Sequence, residues 1–194
     1  RDMPNPSTPE LDVYLKKRVD LWLGGQSLVF DVSQSLFSSH QVDTGTRHLL
    51  NVLEHVPVAS GGKILDVGCG YGPIGLTLKK LHPDAQLHMI DRDALAVAFA
   101  RHNASQNDVE DAHVYGSLGY SEVTVQNFDL IASNIPGKAG EDVISALLKD
   151  AAYYLSESGT VAIVVVSPLE EMVLKILSTP DIEILDHQQF GGHT

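Results

Sequence analysis

The chain has 194 residues, of which 43% are hydrophobic and 20% charged, which fits one soluble globular domain with a sizeable core. The single cysteine, Cys69, excludes an internal disulfide and a cysteine-based zinc site. The formal net charge of −12 disfavours a large contact with a phosphate backbone, and the sequence has no apolar run long enough to span a membrane. Together these features predict a cytoplasmic protein without a membrane contact.

The N-terminal part of the chain differs in pattern from the rest. Leu11–Leu23 has a helical pattern, which predicts that Trp22 packs in the core and that Lys16–Arg18 lies on a solvated helix face. Ser27–Val32 is predicted to be extended and Thr46–His55 to be helical. We expect residues 1–60 to be an elaboration of the same domain as residues 61–194, packed on the main sheet.

From Lys63 onward, short apolar runs alternate with helical stretches, which is typical of βαβ units and a parallel sheet. The predicted strands are Lys63–Val67, Gln86–Asp91, Ala112–Tyr115, Phe128–Ser133, Thr160–Val166 and Ile182–Leu185. The predicted helices are Pro73–Leu81, Asp93–Gln106, Glu141–Leu155 and Pro168–Leu177. The pattern predicts a doubly wound, mostly parallel α/β sheet, with a final strand expected where the chain ends at Gly191–Thr194.

A glycine-rich turn, Asp66-Val67-Gly68-Cys69-Gly70-Tyr71-Gly72, follows the first of these strands. Glycine lets the backbone turn sharply and lets a ligand approach the main chain, and the following helix points its free N–H groups toward the ligand. Asp91 ends the next strand, where a carboxylate can hydrogen-bond the ribose of an adenosine cofactor. The turn therefore predicts a ligand that contains adenosine.

Two cofactors compete for this turn. Gly70-Tyr71-Gly72-Pro73-Ile74-Gly75 also matches the G-x-G-x-x-G fingerprint of dinucleotide-binding proteins. However, the turn begins two residues earlier than in that fingerprint, and a carboxylate at Asp66 would face a pyrophosphate unfavourably. Asp66 can instead help to hold the amino group of a methionine moiety, directly or through water. This favours S-adenosyl-L-methionine, with a dinucleotide or a turn without a ligand as the alternatives.

The residues Leu65–Leu76 resemble motif I of the class I methyltransferases. Leu36-Phe37-Ser38 and Val42–Leu50 are similar to the segment before motif I in the small-subunit ribosomal RNA guanine-N2 methyltransferase (MTS) family. Ser133–Gly140 stands where that family carries an Asn-Pro-Pro-aromatic motif. The resemblance extends from about Phe37 to Leu185 and implies a Rossmann-like methyltransferase sheet of the seven-stranded type.

The resemblance also implies a set of cofactor-binding residues. The glycines would line the methionine end, Asp91 would bind the ribose, Ser117 and Leu118 would flank the adenine, and Phe37 and Thr46 would close the pocket. The full set is Asp66, Gly68, Gly70, Gly72, Asp91, Arg92, Ser117, Leu118, Asn134, Phe37 and Thr46.

Asn134, Ile135 and Pro136 are the candidate catalytic residues, at the carboxyl edge where doubly wound sheets bind ligands. An exocyclic amine is a poor nucleophile because its lone pair is delocalised into the ring. The side-chain oxygen of Asn134 and the carbonyl of Ile135 can accept hydrogen bonds from its N–H groups and favour the pyramidal, more reactive form.

Gly137 departs from the family pattern, because it replaces the aromatic residue that would stack on a flipped base. Base–aromatic stacking contributes about 1–3 kcal/mol per base. Phe37 and Tyr120 are candidates for a ring supplied from elsewhere in the chain. Lys138 is a candidate contact for a substrate anion, with a solvated loop lysine as the alternative.

Three functional hypotheses follow. The first is an N-methyltransferase that acts on an exocyclic amine of a nucleobase in ribosomal RNA. The acidic surface and Gly137 favour the second, a methyltransferase for a small molecule or a protein side chain. The third is a cofactor-binding domain without activity of its own. We expect no metal, because no histidine pair has the i, i+4 spacing of a helical zinc site, and we expect Cys69 to be a packing residue.

Overall fold

The computed structural model describes residues 11–34 and 41–194. Their strands are β1 (Leu15–Leu23), β2 (Gln26–Ser33), β3 (Lys63–Val67), β4 (Gln86–Asp91), β5 (His113–Gly116), β6 (Phe128–Asn134) and β7 (Leu155–Val164). Their helices are α1 (Thr44–Leu53), α2 (Pro73–Leu81), α3 (Ala94–Gln106), α4 (Glu141–Tyr154) and α5 (Glu170–Leu177), and single 3-10 turns occur at Leu11–Val13 and Ser167–Leu169.

The main sheet has five strands among the described residues, in the order β5-β4-β3-β6-β7, and all its pairs are parallel. The chain runs outward from β3 through β4 to β5, then returns to place β6 on the other side of β3. The order of strands therefore reverses between β3 and β6, which is where such sheets bind ligands. This confirms the doubly wound fold.

The prediction of a strand at Ile182–Leu185 is wrong, because these residues are irregular in the structure. Ile184 and Leu185 are 47% and 69% exposed. An alternating apolar pattern forms a strand only where a neighbouring strand pairs with it. Beyond β7 the pairing partner is instead Thr194, which exchanges backbone hydrogen bonds of 2.9 Å with Val165.

The prediction of a helix at Leu11–Leu23 is also wrong, because most of this segment is strand β1, paired antiparallel with β2. Gly24 and Gly25 have positive φ angles of 54° and 74°, and they close the hairpin with the left-handed backbone that tight hairpin turns require. The strand alternates between buried Val19 and Leu21 and the outward-facing residues between them. The burial therefore has period two.

The strand also changes the surroundings of two predicted side chains. Trp22 was expected in the core, but it lies on the outer face of the hairpin and is 70% exposed. Arg18, expected on a solvated helix face, projects from β1 and donates to Asp31 on β2 at 2.8 Å. The guanidinium of Arg18 lowers the pKa of the Asp31 carboxyl.

Two buried side chains at the C-terminal end of α3, Asn103 and Asn107, hydrogen-bond the backbone of the hairpin and join it to the main domain. Asn103 of α3 accepts from the backbone amide of Asp31 at 2.8 Å, and its side-chain nitrogen donates to the carbonyls of Asp31 and Tyr71 at 3.0 and 2.8 Å. Phe30 also meets the ring of Tyr71 edge-on, with centroids 5.6 Å apart. The hairpin and the sheet thus share one core, which supports a single domain; the division at residue 60 stays a prediction.

Within the ranges 11–34 and 41–194, no helix combines the length and the apolar character needed to cross a membrane. In the same part of the chain, no group of three or more histidine, cysteine or acidic side chains is arranged to hold a metal ion.

Candidate cofactor and acceptor site

The carboxyl ends of β3, β4, β5 and β6 meet at one edge of the sheet, because neighbouring strands are parallel and in register. This edge brings together the glycine-rich turn after β3, Asp91 at the end of β4, Ser117 after β5 and Asn134 at the end of β6. Most of the residues that the sequence assigned to a site therefore lie at one edge.

The glycine-rich turn leaves bare backbone beside open space. Gly68 and Gly70 have φ angles of +69° and +56°, and a Cβ atom added to either would meet no atom within 4 Å. The amides of Gly68 and Cys69 both donate to the carbonyl of Ile90 at 2.9 Å, which anchors the turn to β4. Gly72, with φ +99°, is the N-cap of α2. A ligand can therefore lie directly against the main chain of this turn.

Asp91 faces this turn. One oxygen of its carboxylate accepts from the amide of Gly70 at 2.9 Å, and the other accepts from the amide of Asp93 at 2.9 Å. Each carboxylate oxygen has two lone pairs, so both can still accept a hydroxyl of a ribose. The side chain is half-buried and its orientation is fixed by the two amides, whereas the neighbouring Arg92 is exposed.

Asp66 is fully buried at the end of β3. One carboxylate oxygen accepts from the amide of Gly75 at 2.8 Å, and the other has no hydrogen-bond partner among the described residues. Burial raises the pKa of Asp66 to about 7, and the charge of Asp91 adds to this effect. The side chain ties β3 to α2, so a direct contact with a methionine amino group would require it to become exposed.

Cys69 lies inside the turn and is 4% exposed. Burial raises the pKa of its thiol well above the ordinary value, so the sulfur is protonated at neutral pH. In this state the thiol packs as a small apolar group and is a poor nucleophile.

The adenine side of the edge is formed by the turn after β5. The hydroxyl of Ser117 donates to the carbonyl of Gly119 at 2.7 Å and accepts from the amide of Glu122 at 3.2 Å, so it is used within the turn. Leu118 beside it is 73% exposed. The exposed apolar side chain of Leu118, and not the hydroxyl of Ser117, is therefore available to pack against a flat ring.

Asn134 ends β6, and both of its amide protons are used. The side-chain nitrogen donates to Oδ2 of Asp43 and to Oγ1 of Thr46, each at 2.9 Å. The side-chain oxygen accepts no hydrogen bond from the described residues. The oxygen is therefore the group that Asn134 can offer to a ligand at this edge.

The residues after Asn134 form a turn at the same edge. Ile135 is buried and donates its amide to the carbonyl of Val164 at 2.9 Å, while the carbonyl of Pro136 accepts from the amide of Ala139 at 2.9 Å. A Cβ atom at Gly137 would lie 3.3 Å from Cγ2 of Val166, so β-branched Val166 borders the position of the missing aromatic residue. Lys138, in the same turn, is exposed.

Tyr120, one of the two rings proposed to replace that aromatic residue, does not lie at the edge. Tyr120 is 7% exposed, stacks on Tyr154 with centroids 4.6 Å apart, and donates its hydroxyl to the carbonyl of Leu147 at 2.9 Å. It is therefore a core residue on the α4 side of the sheet, and burial raises the pKa of its phenol. Phe37 lies outside the described residues.

Sequence reasoning missed Asp43, which is the N-cap of α1 and accepts from the amide of Thr46 at 3.2 Å. An aspartate just before a helical stretch is a recognisable capping signal. That signal does not show that the same carboxylate oxygen also binds a side chain 91 positions away in the sequence.

The fold and the edge described above, together with the family and relatives that match the chain, place it in a class of proteins, the S-adenosylmethionine-dependent class I methyltransferases. A model of the Methyltransferase small domain (MTS) family matches residues 27–179, and the chain belongs to this family. The predicted family, enzyme class and cofactor are thereby confirmed, and the dinucleotide alternative is set aside.

Known relatives support the same family. The uncharacterized protein YbxB of Bacillus subtilis (strain 168) is 40% identical over 144 residues, which make up 74% of this chain and 71% of that protein. Ribosomal RNA small subunit methyltransferase C of Haemophilus influenzae (strain Rd) is 38% identical over 133 residues, which make up 66% of this chain and 39% of that protein. The chain thus spans about two fifths of the length of the second relative.

The fold also matches a solved structure. The T. thermophilus 16S rRNA guanine-N2 methyltransferase RsmC, in complex with AdoMet and guanosine, superposes with a TM-score of 0.69 at 24% sequence identity. The match covers 89% of this chain and 47% of that one. At this level of identity, the likeness shows a common fold.

Proposed function

We propose that the protein methylates an exocyclic amine of a nucleobase in ribosomal RNA. The observation that carries the proposal is the orientation of Asn134, whose amide protons are held by Asp43 and Thr46 and whose oxygen accepts from none of the residues that the structure describes. The relative named as a small-subunit rRNA methyltransferase and the fold neighbour solved with guanosine support a nucleobase as the acceptor.

The residues of the edge fit S-adenosylmethionine, because the bare backbone at Gly68 and Gly70 leaves space that a Cβ atom would occupy. In the proposal, this backbone holds the methionine end, Asp91 accepts the ribose hydroxyls and Leu118 packs on the adenine. Thr46 acts through Asn134, and a role for Phe37 in closing the pocket remains a prediction outside the described residues.

The chemistry asked of the chain is positioning and electrostatic stabilisation. When bound, S-adenosylmethionine supplies the methyl group, and the electron pair of the broken carbon–sulfur bond stays on sulfur. The amine nitrogen gains the carbon and then releases one proton to solvent, so no strong base is required. The oxygen of Asn134 and the carbonyl of Ile135 accept hydrogen bonds from the N–H groups of the amine. Both interactions strengthen as the nitrogen becomes cationic, which favours the transition state over the ground state.

A second candidate is methyl transfer to a small molecule or a protein side chain. It is supported by the net charge of −12, which disfavours a phosphate backbone, and by Gly137, which provides no ring for a flipped base. The first proposal includes a cytoplasmic location and ribosomal RNA as the partner, and it involves no membrane.

The test is transfer of a tritiated methyl group to separate fractions of small-subunit rRNA, total protein and metabolites. We expect label in the rRNA, released after nuclease digestion as N2-methylguanosine. Label in the protein or metabolite fraction would support the second candidate and contradict the first. If calorimetry shows binding of S-adenosylmethionine but no fraction is labelled, the protein is a cofactor-binding domain without activity of its own.

The matched control is the Asn134→Ala variant. It removes the acceptor oxygen but leaves the glycine-rich turn and Asp91 in place. We expect it to bind S-adenosylmethionine with nearly the affinity of the unmodified protein and to transfer little label. Equal transfer by this variant would remove Asn134 from the chemistry.

A further inference from the structure

We propose that Asp43 and Thr46 are positioning residues that fix the side-chain amide of Asn134, so that its oxygen and not its nitrogen faces the methyl acceptor. The catalytic consequence rests on the proposed function. The orientation itself rests only on contacts within the chain.

The contacts account for every proton of the amide. Nδ2 of Asn134 carries two protons, and it lies 2.9 Å from Oδ2 of Asp43 and 2.9 Å from Oγ1 of Thr46. A carboxylate can only accept hydrogen bonds. Rotating the amide by 180° would place its oxygen against the carboxylate oxygen of Asp43, which brings two acceptors together. The charge of Asp43 therefore decides which end of the amide points outward.

The start of α1 holds these acceptors in place. Oδ2 of Asp43 also accepts from the backbone amide of Thr46, so one oxygen caps the helix and binds Asn134. Thr46 is 4% exposed, and a buried side chain of this kind has few alternative positions. The first turn of α1 and the end of β6 are thus joined, although they are far apart in the sequence.

The orientation matters because the two ends of an amide have opposite effects on an amine. The oxygen accepts a hydrogen bond from an N–H group of the amine, whereas the amide NH₂ group would place its own donors against the donors of the amine. A freely rotating Asn134 would present the wrong end part of the time and would lose rotational freedom on binding the acceptor. Asp43 and Thr46 restrict that freedom before the substrate binds, which is the advantage of a preorganised site.

The first experiment measures the orientation without a substrate. The side-chain NH₂ signals of Asn134 are assigned in a ¹⁵N NMR spectrum by their loss in Asn134→Asp. In Thr46→Val, which has nearly the same shape but no hydroxyl, we expect these protons to exchange with water at least about 5-fold faster, which corresponds to the loss of about 1 kcal/mol from one hydrogen bond. In Thr46→Ser, which keeps the hydroxyl, we expect the slow exchange to return.

The second experiment measures the chemical step. With small-subunit rRNA and saturating cofactor, we expect the single-turnover rate of Thr46→Val to fall by about 10–100-fold, a loss typical of removing a group that orients an active residue. The dissociation constant for S-adenosylmethionine should stay within about twofold, since a hydrogen bond to the cofactor would change it by more. Thr46→Ser should restore most of the rate.

Variants of Asp43 provide an independent check. Asp43→Asn can still cap α1 and accept from Asn134 through its amide oxygen, but it lacks the charge that rejects the flipped amide. We expect a smaller loss of rate than in Asp43→Ala, which also loses the N-cap of α1 and is therefore less stable. If Asp43→Ala does not fold, Thr46→Val and Asp43→Asn still test the proposal.

The outcomes separate this inference from the proposed function. Unchanged NH₂ exchange in Thr46→Val and Asp43→Asn would overturn the orientation, whatever the acceptor is. Changed exchange with an unchanged single-turnover rate would overturn the positioning role. If the amide is held as described but rRNA receives no methyl group, the proposed function and the catalytic consequence fail, while the orientation stands.

Discussion

The carboxylate of Asp91 accepts a hydrogen bond from the backbone amide of Gly70 at 2.9 Å, so the residue assigned to the ribose also holds the turn assigned to the methionine end. Replacing Asp91 by alanine removes charged hydrogen bonds to the ribose and loosens this turn. We expect the affinity for S-adenosylmethionine to fall by about 1–3 kcal/mol, measured by calorimetry. The affinity of Asp91→Asn, which keeps one acceptor oxygen, should lie between those of Asp91→Ala and the unmodified protein. An unchanged dissociation constant in Asp91→Ala would refute the ribose assignment.

Gly70→Ala tests whether the space beside the turn belongs to the cofactor. Because φ is +56° at Gly70, the variant should lose about 1 kcal/mol of stability from backbone strain. Because the added Cβ atom would enter the open space beside the turn, we expect the cofactor affinity to fall more than about tenfold. Gly61 is the matched control, because its φ is +68° and a Cβ there also meets nothing within 4 Å, but it lies outside the edge. Equal cofactor affinity in Gly70→Ala and Gly61→Ala would place the ligand elsewhere.

Local signals in the sequence were sufficient to predict β3 to β7 and their helices in the right order, although β7 begins at Leu155 and not at Thr160. Apolar runs, the glycine-rich turn and the Asp93 N-cap each act over a few residues, and the structure has α2 at Pro73–Leu81 as predicted. The helix predicted at Leu11–Leu23 was wrong because the spacing of Leu11, Leu15 and Val19 fits a helix as well as a strand. The segment forms a strand because it pairs with β2, and a local sequence pattern carries no information about that pairing.

The site shows the same division. Asp91, Asn134 and the glycine-rich turn were found because each follows a strand, and the carboxyl ends of parallel strands meet. The contact between Asp43 and Asn134 joins positions far apart in the sequence, so only the folded chain reveals it. The burial of Tyr120 likewise depends on α4, whose residue Tyr154 covers its ring.

The raised pKa of Asp66 predicts a pH-dependent stability. Burial raises this pKa to about 7, so between the ordinary value of 3.8 and about 7 the folded chain holds a proton that the unfolded chain has released. The free energy of unfolding therefore decreases as the pH rises through this window, by about 2–4 kcal/mol. Asp66→Asn lacks this loss, so its stability relative to the unmodified protein should increase from about pH 4 to pH 8.

Denaturant titrations at several pH values measure that difference. Comparing the variant with the unmodified protein is necessary because His88, whose pKa burial lowers to about 4, has the opposite effect: its contribution is lost as the pH falls from 6.5 toward 4. Asp84→Asn is a control, because its pKa is lowered by a hydrogen bond from Ser60 and its contribution is lost only below 3.8. A pH-independent difference for Asp66→Asn would show that Asp66 is charged in the folded protein.

Asn103 should be among the residues that contribute most to stability, because it is fully buried and its amide makes three hydrogen bonds to the backbone of Asp31 and Tyr71. Asn103→Ala leaves these buried groups unpaired and opens a cavity, so we expect the free energy of unfolding to fall by about 2–4 kcal/mol in urea denaturation. Ser105→Ala on the same helix changes an exposed side chain and should change stability by less than about 0.5 kcal/mol.

The same variant also tests whether the hairpin supports the glycine-rich turn. Asn103 holds the carbonyl of Tyr71, which lies between Gly70 and Gly72, so its loss should release the turn as well as the hairpin. We expect Asn103→Ala to weaken S-adenosylmethionine binding by a few-fold, about 1 kcal/mol, even at a temperature where it remains folded. Weaker stability with an unchanged dissociation constant would mean that β4, through the Ile90 carbonyl, is sufficient to fix the turn.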